Sequence, residues 1–113
     1  MHEYSVIQAL MGRVEAEASA RQAVAVHRVR IRIGEVSGIE PDLLVTAFDM
    51  VRGEGICRAA RLEIERVAAR WGCPQCGGTI RLGDVLQCPD CSRPAALLAG
   101  DEIMLDQIEL EVA

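Results

Sequence analysis

From Ile7 onward the apolar residues recur at helical spacing, as Ile7, Leu10, Met11, Val14 and Ala18, while Arg13, Glu15, Glu17 and Arg21 fall largely on the other side. That pattern predicts an amphipathic helix with one face in a core. Ser5 and Gln8 stand in capping-box positions, so the helix is expected to begin at Ser5 and to leave Met1 to Tyr4 as a short tail. From Val26 to Gly34 the period changes to two, with Val29, Ile31 and Ile33 against Arg28, Arg30 and Arg32, which predicts a half-buried strand with an arginine row on its wet face. Glu40-Pro41-Asp42 opens a second helix, because proline suits the first helical position, pushes its predecessor out of the helical region, and is followed by an acid that complements the dipole. Leu44, Ala47, Phe48 and Val51 form its buried stripe, and Gly53 and Gly55 end it. Ala60 to Val67 alternates again, Leu62 and Ile64 against Glu63 and Glu65, as a second strand reached by a crossover. Gly100-Asp101 reads as a turn, and Ile108, Leu110 and Val112 alternate with Glu109 and Glu111 in a closing strand.

The stretch between the second strand and that turn follows neither period. From about Arg70 to Pro94 its large apolar residues are Trp71, Ile80, Leu82, Val85 and Leu86, too few to pack alone. It does contain four of the chain's five cysteines, as Cys73-Pro74-Gln75-Cys76 and Cys88-Pro89-Asp90-Cys91, with eleven residues between the pairs. Each pair can turn two sulfurs toward one point, and the segment between is long enough to fold back, which is the spacing of a tetrathiolate metal site. A metal would then supply the folding energy that the segment lacks. Two disulfides also satisfy four cysteines, but an intracellular chain keeps its thiols reduced. Zinc is the expected ion, and iron in a rubredoxin-like site uses similar spacing. The cysteine lobe, residues 70–98, is thus expected as an insertion in a domain formed by residues 1–69 and 99–113. Cys57, apart from both pairs, reads as a packed thiol.

Composition removes several functions. Formal net charge is −5, and four thiolates around one divalent ion make it more negative still, so nucleic acid is not expected as a partner. A single Phe, Tyr and Trp leave no platform for stacking bases. All twelve basic residues are arginine, so there is no P-loop lysine, Schiff-base lysine or lysine general base. Four thiolates on one ion leave no position for an activated water, so an enzyme is not expected. No stretch reaches the length of a membrane span and the start lacks a signal peptide's basic and apolar regions, so the expected location is cytoplasmic.

The first residues carry chemistry of a different kind. The Met1 amine, the His2 backbone nitrogen and His2 Nδ1 can close a five-membered and a six-membered chelate ring around one ion, and Glu3 can add its amide nitrogen or its carboxylate. Displacing a backbone proton is something Ni²⁺ and Cu²⁺ promote in tetragonal N,O surroundings far better than Zn²⁺ does. The loop before the second helix offers Glu35, Glu40 and Asp42, of which Glu40 is the best candidate for a supporting ligand, although it can equally serve the helix N-terminus.

Taken together, these residues resemble the HypA/HybF family, the nickel metallochaperones of NiFe hydrogenase maturation. The resemblance rests on Met1-His2-Glu3-Tyr4-Ser5, Ile33-Gly34-Glu35, Ala47-Phe48, Ala60-x-Leu62-x-Ile64, both cysteine pairs, Gly100-Asp101-Glu102 and Ile108-Glu109, and so spans nearly the whole chain. It implies an α+β fold, two helices packed on a mixed three-stranded sheet with an inserted four-cysteine, zinc-ribbon-like lobe. It also implies structural Zn²⁺ on Cys73, Cys76, Cys88 and Cys91, and Ni²⁺ carried as cargo by Met1, His2 and Glu3. The implied partners are the GTPase HypB and the hydrogenase large subunit, with urease also served in some organisms. Members commonly carry an acid near position 40, here Glu40. The rival reading is a zinc-ribbon protein-interaction adaptor that delivers no metal.

Overall fold

The computed structural model describes residues 2–80, 86–88 and 92–113. Of the residues that carry the sequence motifs, Met1, Leu82, Val85, Pro89, Asp90 and Cys91 lie outside them. Helix α1, His2–Ala20, buries Ile7, Leu10, Met11, Val14 and Ala18, the stripe its periodicity predicts. Strand β1, Ala23–Gly34, leads to helix α2, Pro41–Arg52, and then to strand β2, Arg61–Val67. Three short strands follow, β3 (Arg70–Gly72), β4 (Thr79–Ile80) and β5 (Ala96–Ala99), before the long β6, Ile103–Val112. At the start of α2, Glu40 is extended, as a residue before proline must be, and Gly53 ends the helix at φ 50°.

The described strands form two sheets, one ordered β2-β1-β6 and one ordered β4-β3-β5. In the first, β1 runs parallel to β2, placing Val29 beside Leu62 and Ile31 beside Ile64, and antiparallel to β6. Both helices cover the aliphatic face of this sheet, and Phe48, Ile7, Ile31, Ile33, Leu44 and Val14 are fully enclosed between them. Each such side chain contributes about 1.5–3 kcal/mol of transfer free energy, so this layer dominates the stability of the fold. The second sheet has no comparable core. Among its described residues only Ile80 joins Gly72, Cys73 and Cys88 in being buried. The radius of gyration, 18.0 Å, exceeds the roughly 13 Å of a compact chain of this length, as expected if the small sheet stands off from the large one.

Two element boundaries depart from the sequence reading. Helix α1 begins at His2 rather than Ser5, so Ser5 lies inside the first turn, and His2 to Tyr4 of the expected tail are helical instead. Tertiary contacts account for the extra residues. Tyr4 and Val6 pack on the core, and the Glu3 carboxylate accepts the Glu40 N–H at 3.2 Å, so the first turn gains partners that no local motif announces. Strand β6 likewise begins at Ile103, five residues before Ile108. Arg30 pairs with Gln107 and Ile31 with Leu105, which leaves Asp106 as the extra residue of a β-bulge. The bulge breaks the alternation between Leu105 and Ile108, and that break hides the first half of the strand. Val112 is 57% exposed and is not part of the core.

The two sheets are joined at a crossing of backbones. A Cβ on Gly34 would lie 2.1 Å from the Gly100 carbonyl oxygen, and one on Gly100, whose φ is 103°, would lie 2.5 Å from Ala69 Cα. Around this crossing the Gly34 N–H donates to Glu102 O, the Glu35 N–H to Val67 O and the Val36 N–H to Gly100 O, each at 2.8 Å. The Glu35 carboxylate accepts the Ala69 N–H at 3.3 Å. The end of β1 is therefore bonded to both chain segments that connect the large sheet to the small one.

On its other face the large sheet carries the arginine row, and the row is paired. Arg28 lies 3.6 Å from both Glu63 and Glu109, Arg30 lies 2.8 Å from Glu65 and 3.4 Å from Asp106, and Arg32 lies 3.4 Å from Glu65. His27 meets Glu111 at 2.7 Å. Each of these half-exposed pairs adds at most about 1 kcal/mol, so they align strands that the apolar face already holds.

Gly34→Ala is expected to destabilise the protein by about 3 kcal/mol, because backbone atoms must move to admit the methyl group. Gly12→Ala, on the exposed face of α1 with nothing within 4 Å, is expected to stabilise it by up to about 1 kcal/mol. Urea titration of both variants checks the contrast, and a tolerated Gly34→Ala contradicts the close crossing. A second expectation concerns acid. The hydrogen bonds from Arg30 and then Arg32 hold the Glu65 carboxyl below its ordinary range. A depressed folded value favours the fold above the ordinary carboxylate range, and that contribution is lost as pH falls through the lowered value. Urea midpoints measured from about pH 6 down to about pH 3 should therefore fall less steeply in Glu65→Gln than in the wild type.

Candidate metal centres

The small sheet presents its cysteines on two turns built alike. In the first, the Cys73 N–H donates to Gly78 O at 2.8 Å and the Gly77 N–H to Cys73 O at 2.9 Å. In the second, the Cys88 N–H donates to Arg93 O and the Ser92 N–H to Cys88 O, both at 2.8 Å. The residue following each pair closes the turn in the left-handed region, Gly77 at φ 73° and Ser92 at φ 57°. The sulfurs of Cys73, Cys76 and Cys88 lie within 4.8 Å of one another, and Cys76 Sγ is 3.5 Å from Cys88 Sγ. Sulfurs bound at about 2.3 Å around a tetrahedral ion stand about 3.8 Å apart, so this spacing accommodates one. Cys73 and Cys88 are buried and Cys76 is exposed. The Cys73 thiol is pulled down to about 6, chiefly by the backbone N–H groups of Cys76 and Gln75 directed at its sulfur. Amides so directed favour the thiolate, the form that ligates metal. The fourth predicted ligand, Cys91, lies outside the described residues.

Two of the predicted nickel residues, His2 and Glu3, belong to the first turn of α1. His2 is exposed and opens the helix, Glu3 follows partly buried, and Met1 is outside the described residues. The Glu40 N–H, then Glu3's own N–H and the nearby His2, hold the Glu3 carboxyl below its usual range, so it stays ionised. Glu3 and Glu40 are thus brought together, but through a carboxylate and a backbone amide rather than two side chains. Glu40 stands at the N-cap of α2, where its carbonyl accepts the Leu44 N–H at 3.0 Å, while its exposed side chain makes no capping bond.

Glu35, which the sequence offers only as one more acid near the tail, is turned toward Ala69 at the junction of the sheets. A glycine ending β1 directly before it is the signal for a close backbone approach, though the sequence does not reveal what approaches. Cys57 is buried in the large core, where desolvation first and Glu15 second push its thiol up, as a packed thiol requires.

A family model described as hydrogenase/urease nickel incorporation, metallochaperone, hypA matches residues 1–110. The hydrogenase maturation factor HypA of Shewanella oneidensis is 41% identical over 115 residues, covering 100% of this chain and 98% of its own. That of Shewanella baltica strain OS223 is 40% identical over 113 residues, covering 98% and 97%. Among solved structures, the Ni metallochaperone HypA of Helicobacter pylori superposes with a TM-score of 0.76 at 30% identity, covering 98% of both chains. A second HypA solution structure superposes at 0.82 with 32% identity, covering 100% of this chain and 98% of its own. Sequence and fold agree with these relatives along the full length of the chain, from the helix that opens at His2 to the closing strand, and the chain belongs to the HypA family of nickel metallochaperones in hydrogenase and urease maturation.

Proposed function

We propose that the chain takes up Ni²⁺ at Met1, His2 and Glu3 and hands it over during maturation of NiFe hydrogenase, while Cys73, Cys76, Cys88 and Cys91 hold a structural Zn²⁺. The observation that carries the nickel assignment is the start of α1 at His2. The first amides of a helix have no intrahelical acceptor, so a metal can take the place of their protons without breaking a turn. Glu3, tied to the Glu40 N–H, anchors that turn against the start of α2 and leaves His2 exposed. Nitrogen donors in an exposed chelate suit Ni²⁺ and permit its release, whereas four thiolates suit Zn²⁺ and close its coordination. Glu40, whose amide is bonded to Glu3, is the candidate for a further nickel ligand. The likeness of the two cysteine turns supports Cys91 as the fourth zinc ligand, since Cys91 precedes the turn-closing Ser92 in sequence as Cys76 precedes Gly77.

In this reading residues 1–69 and 99–113 form the nickel-binding part and residues 70–98 the zinc lobe. Bound zinc supplies the cohesion that the small sheet lacks. The work is transfer of a metal in the cytoplasm and not catalysis. The partners are the GTPase HypB, which would supply the nucleotide chemistry that a lysine-free chain lacks, the hydrogenase large subunit, and the urease accessory machinery.

Native mass spectrometry of untagged protein is expected to detect one retained zinc and one exchangeable nickel. His2→Ala, and separately an N-terminal extension that converts the Met1 amine to an amide, should each abolish the nickel and keep the zinc. Wild-type nickel binding in His2→Ala would falsify the N-terminal site. Stripping zinc with a chelator should remove amide-exchange protection from β3 to β5 while α1, α2 and the large sheet stay protected, because the described residues of the small sheet form no comparable apolar core. Loss of protection throughout would mean that the large core depends on the lobe.

A further inference from the structure

Strand β6 lies at the edge of its sheet, hydrogen-bonded to β1 on one side, and β1 is its only strand neighbour among the described residues. Its other side faces a groove of about 610 Å³ between the strand and the second half of α1. Leu105, Ile108 and Leu110 give this groove an apolar floor, and Arg13 and Arg21 stand against Glu17 and Asp106 along it, two charges of each sign. Beyond the bulge at Asp106, β6 runs without an extra residue from Gln107 to Val112, and the two further register shifts along that run place their extra residues, Val24 and His27, on β1. Along that run the partly buried Ile108 and Leu110 alternate with the exposed Glu109 and Glu111.

A regular edge strand offers a row of main-chain donors and acceptors to any extended chain that can match its side chains. The carboxylates decide which chain that is. Residues opposite each other in a strand pair share a face, so a second copy of β6 would set carboxylates beside carboxylates, which is destabilising. Among the described residues, Glu109 and Glu111 have Arg28 and His27 beside them on the β1 side and no basic partner from a strand beyond the edge. We propose that the free edge of β6 receives an extended segment of a partner protein by strand addition. That segment alternates apolar residues, seated over Leu105, Ile108 and Leu110, with arginine or lysine placed beside Glu109 and Glu111. Strand addition leaves the α1 first turn and the cysteine lobe uncovered, so it is compatible with metal loading at either centre.

The test uses the full chain and a synthetic peptide alternating valine and arginine, followed by NMR titration and amide hydrogen exchange. The expected result is slowed exchange at alternate amides within residues 107–112. The double variant Glu109→Arg, Glu111→Arg should bind this peptide about tenfold or more weakly, since two favourable cross-strand pairs become unfavourable. The same variant should gain affinity for a valine–glutamate peptide, and this gain also establishes that it is folded. A valine–arginine peptide N-methylated along one edge should fail to bind the wild type. Equal binding of the N-methylated peptide would replace strand addition by simple charge attraction. Exchange protection elsewhere than β6, or self-association of the wild type through β6, would each overturn the proposal.

Discussion

Gly34 and Gly100 pass one another with no room for a side chain on either, and much of the molecule is organised around that contact. At this point the last residues of β1 bond to the segment leaving β2 and to the segment entering β6. A sheet stabilised by aliphatic burial thereby holds both ends of a lobe whose described residues form almost no apolar core. The physical division is plain: the hydrophobic effect supports one part, metal–thiolate bonding suits the other, and backbone hydrogen bonds carry orientation between them. The same loop continues for a few residues to Glu40, whose amide is bonded to Glu3. The end of β1 is therefore in contact with the neck of the lobe and lies close along the chain to the first turn of α1.

That loop gives the acids distinct tasks. Glu35 accepts a backbone amide at the neck, and Glu3 accepts one at the start of α2. On the far face of the sheet, Glu63, Glu65, Asp106, Glu109 and Glu111 surround the arginines and His27 of β1. An acidic chain thus spends many carboxylates internally, on amides and guanidinium groups. Charge on the sheet surface is arranged in rows, and this arrangement determines what a neighbouring strand can be.

Much of the fold and of the cysteine site was legible in the sequence. The buried stripe of α1, the alternation of β1 and β2, and the start and stop of α2 follow from periodicity, proline and glycine, because each signal is local and lies on one continuous element. The paired cysteines announced a common point for their sulfurs, and Cys73, Cys76 and Cys88 meet there. What was misread failed for identifiable reasons. Ser5 and Gln8 satisfy a local capping pattern, but long-range contacts of Glu3, Tyr4 and Val6 extend the helix beyond it. The bulge at Asp106 shifts the alternation by one residue, so that two halves of one strand do not read as one.

The sequence by itself determined the core faces of α1, α2 and β1, the common point of Cys73, Cys76 and Cys88, and the family the chain resembles, since these rest on spacing along a single chain. Only the tertiary structure decided that Gly34 meets Gly100, that Glu3 reaches the Glu40 amide, and that β6, with its acidic row, has β1 as its one strand neighbour among the described residues. Each of these is a meeting of segments far apart in the chain, and local propensity carries no information about a partner many residues away.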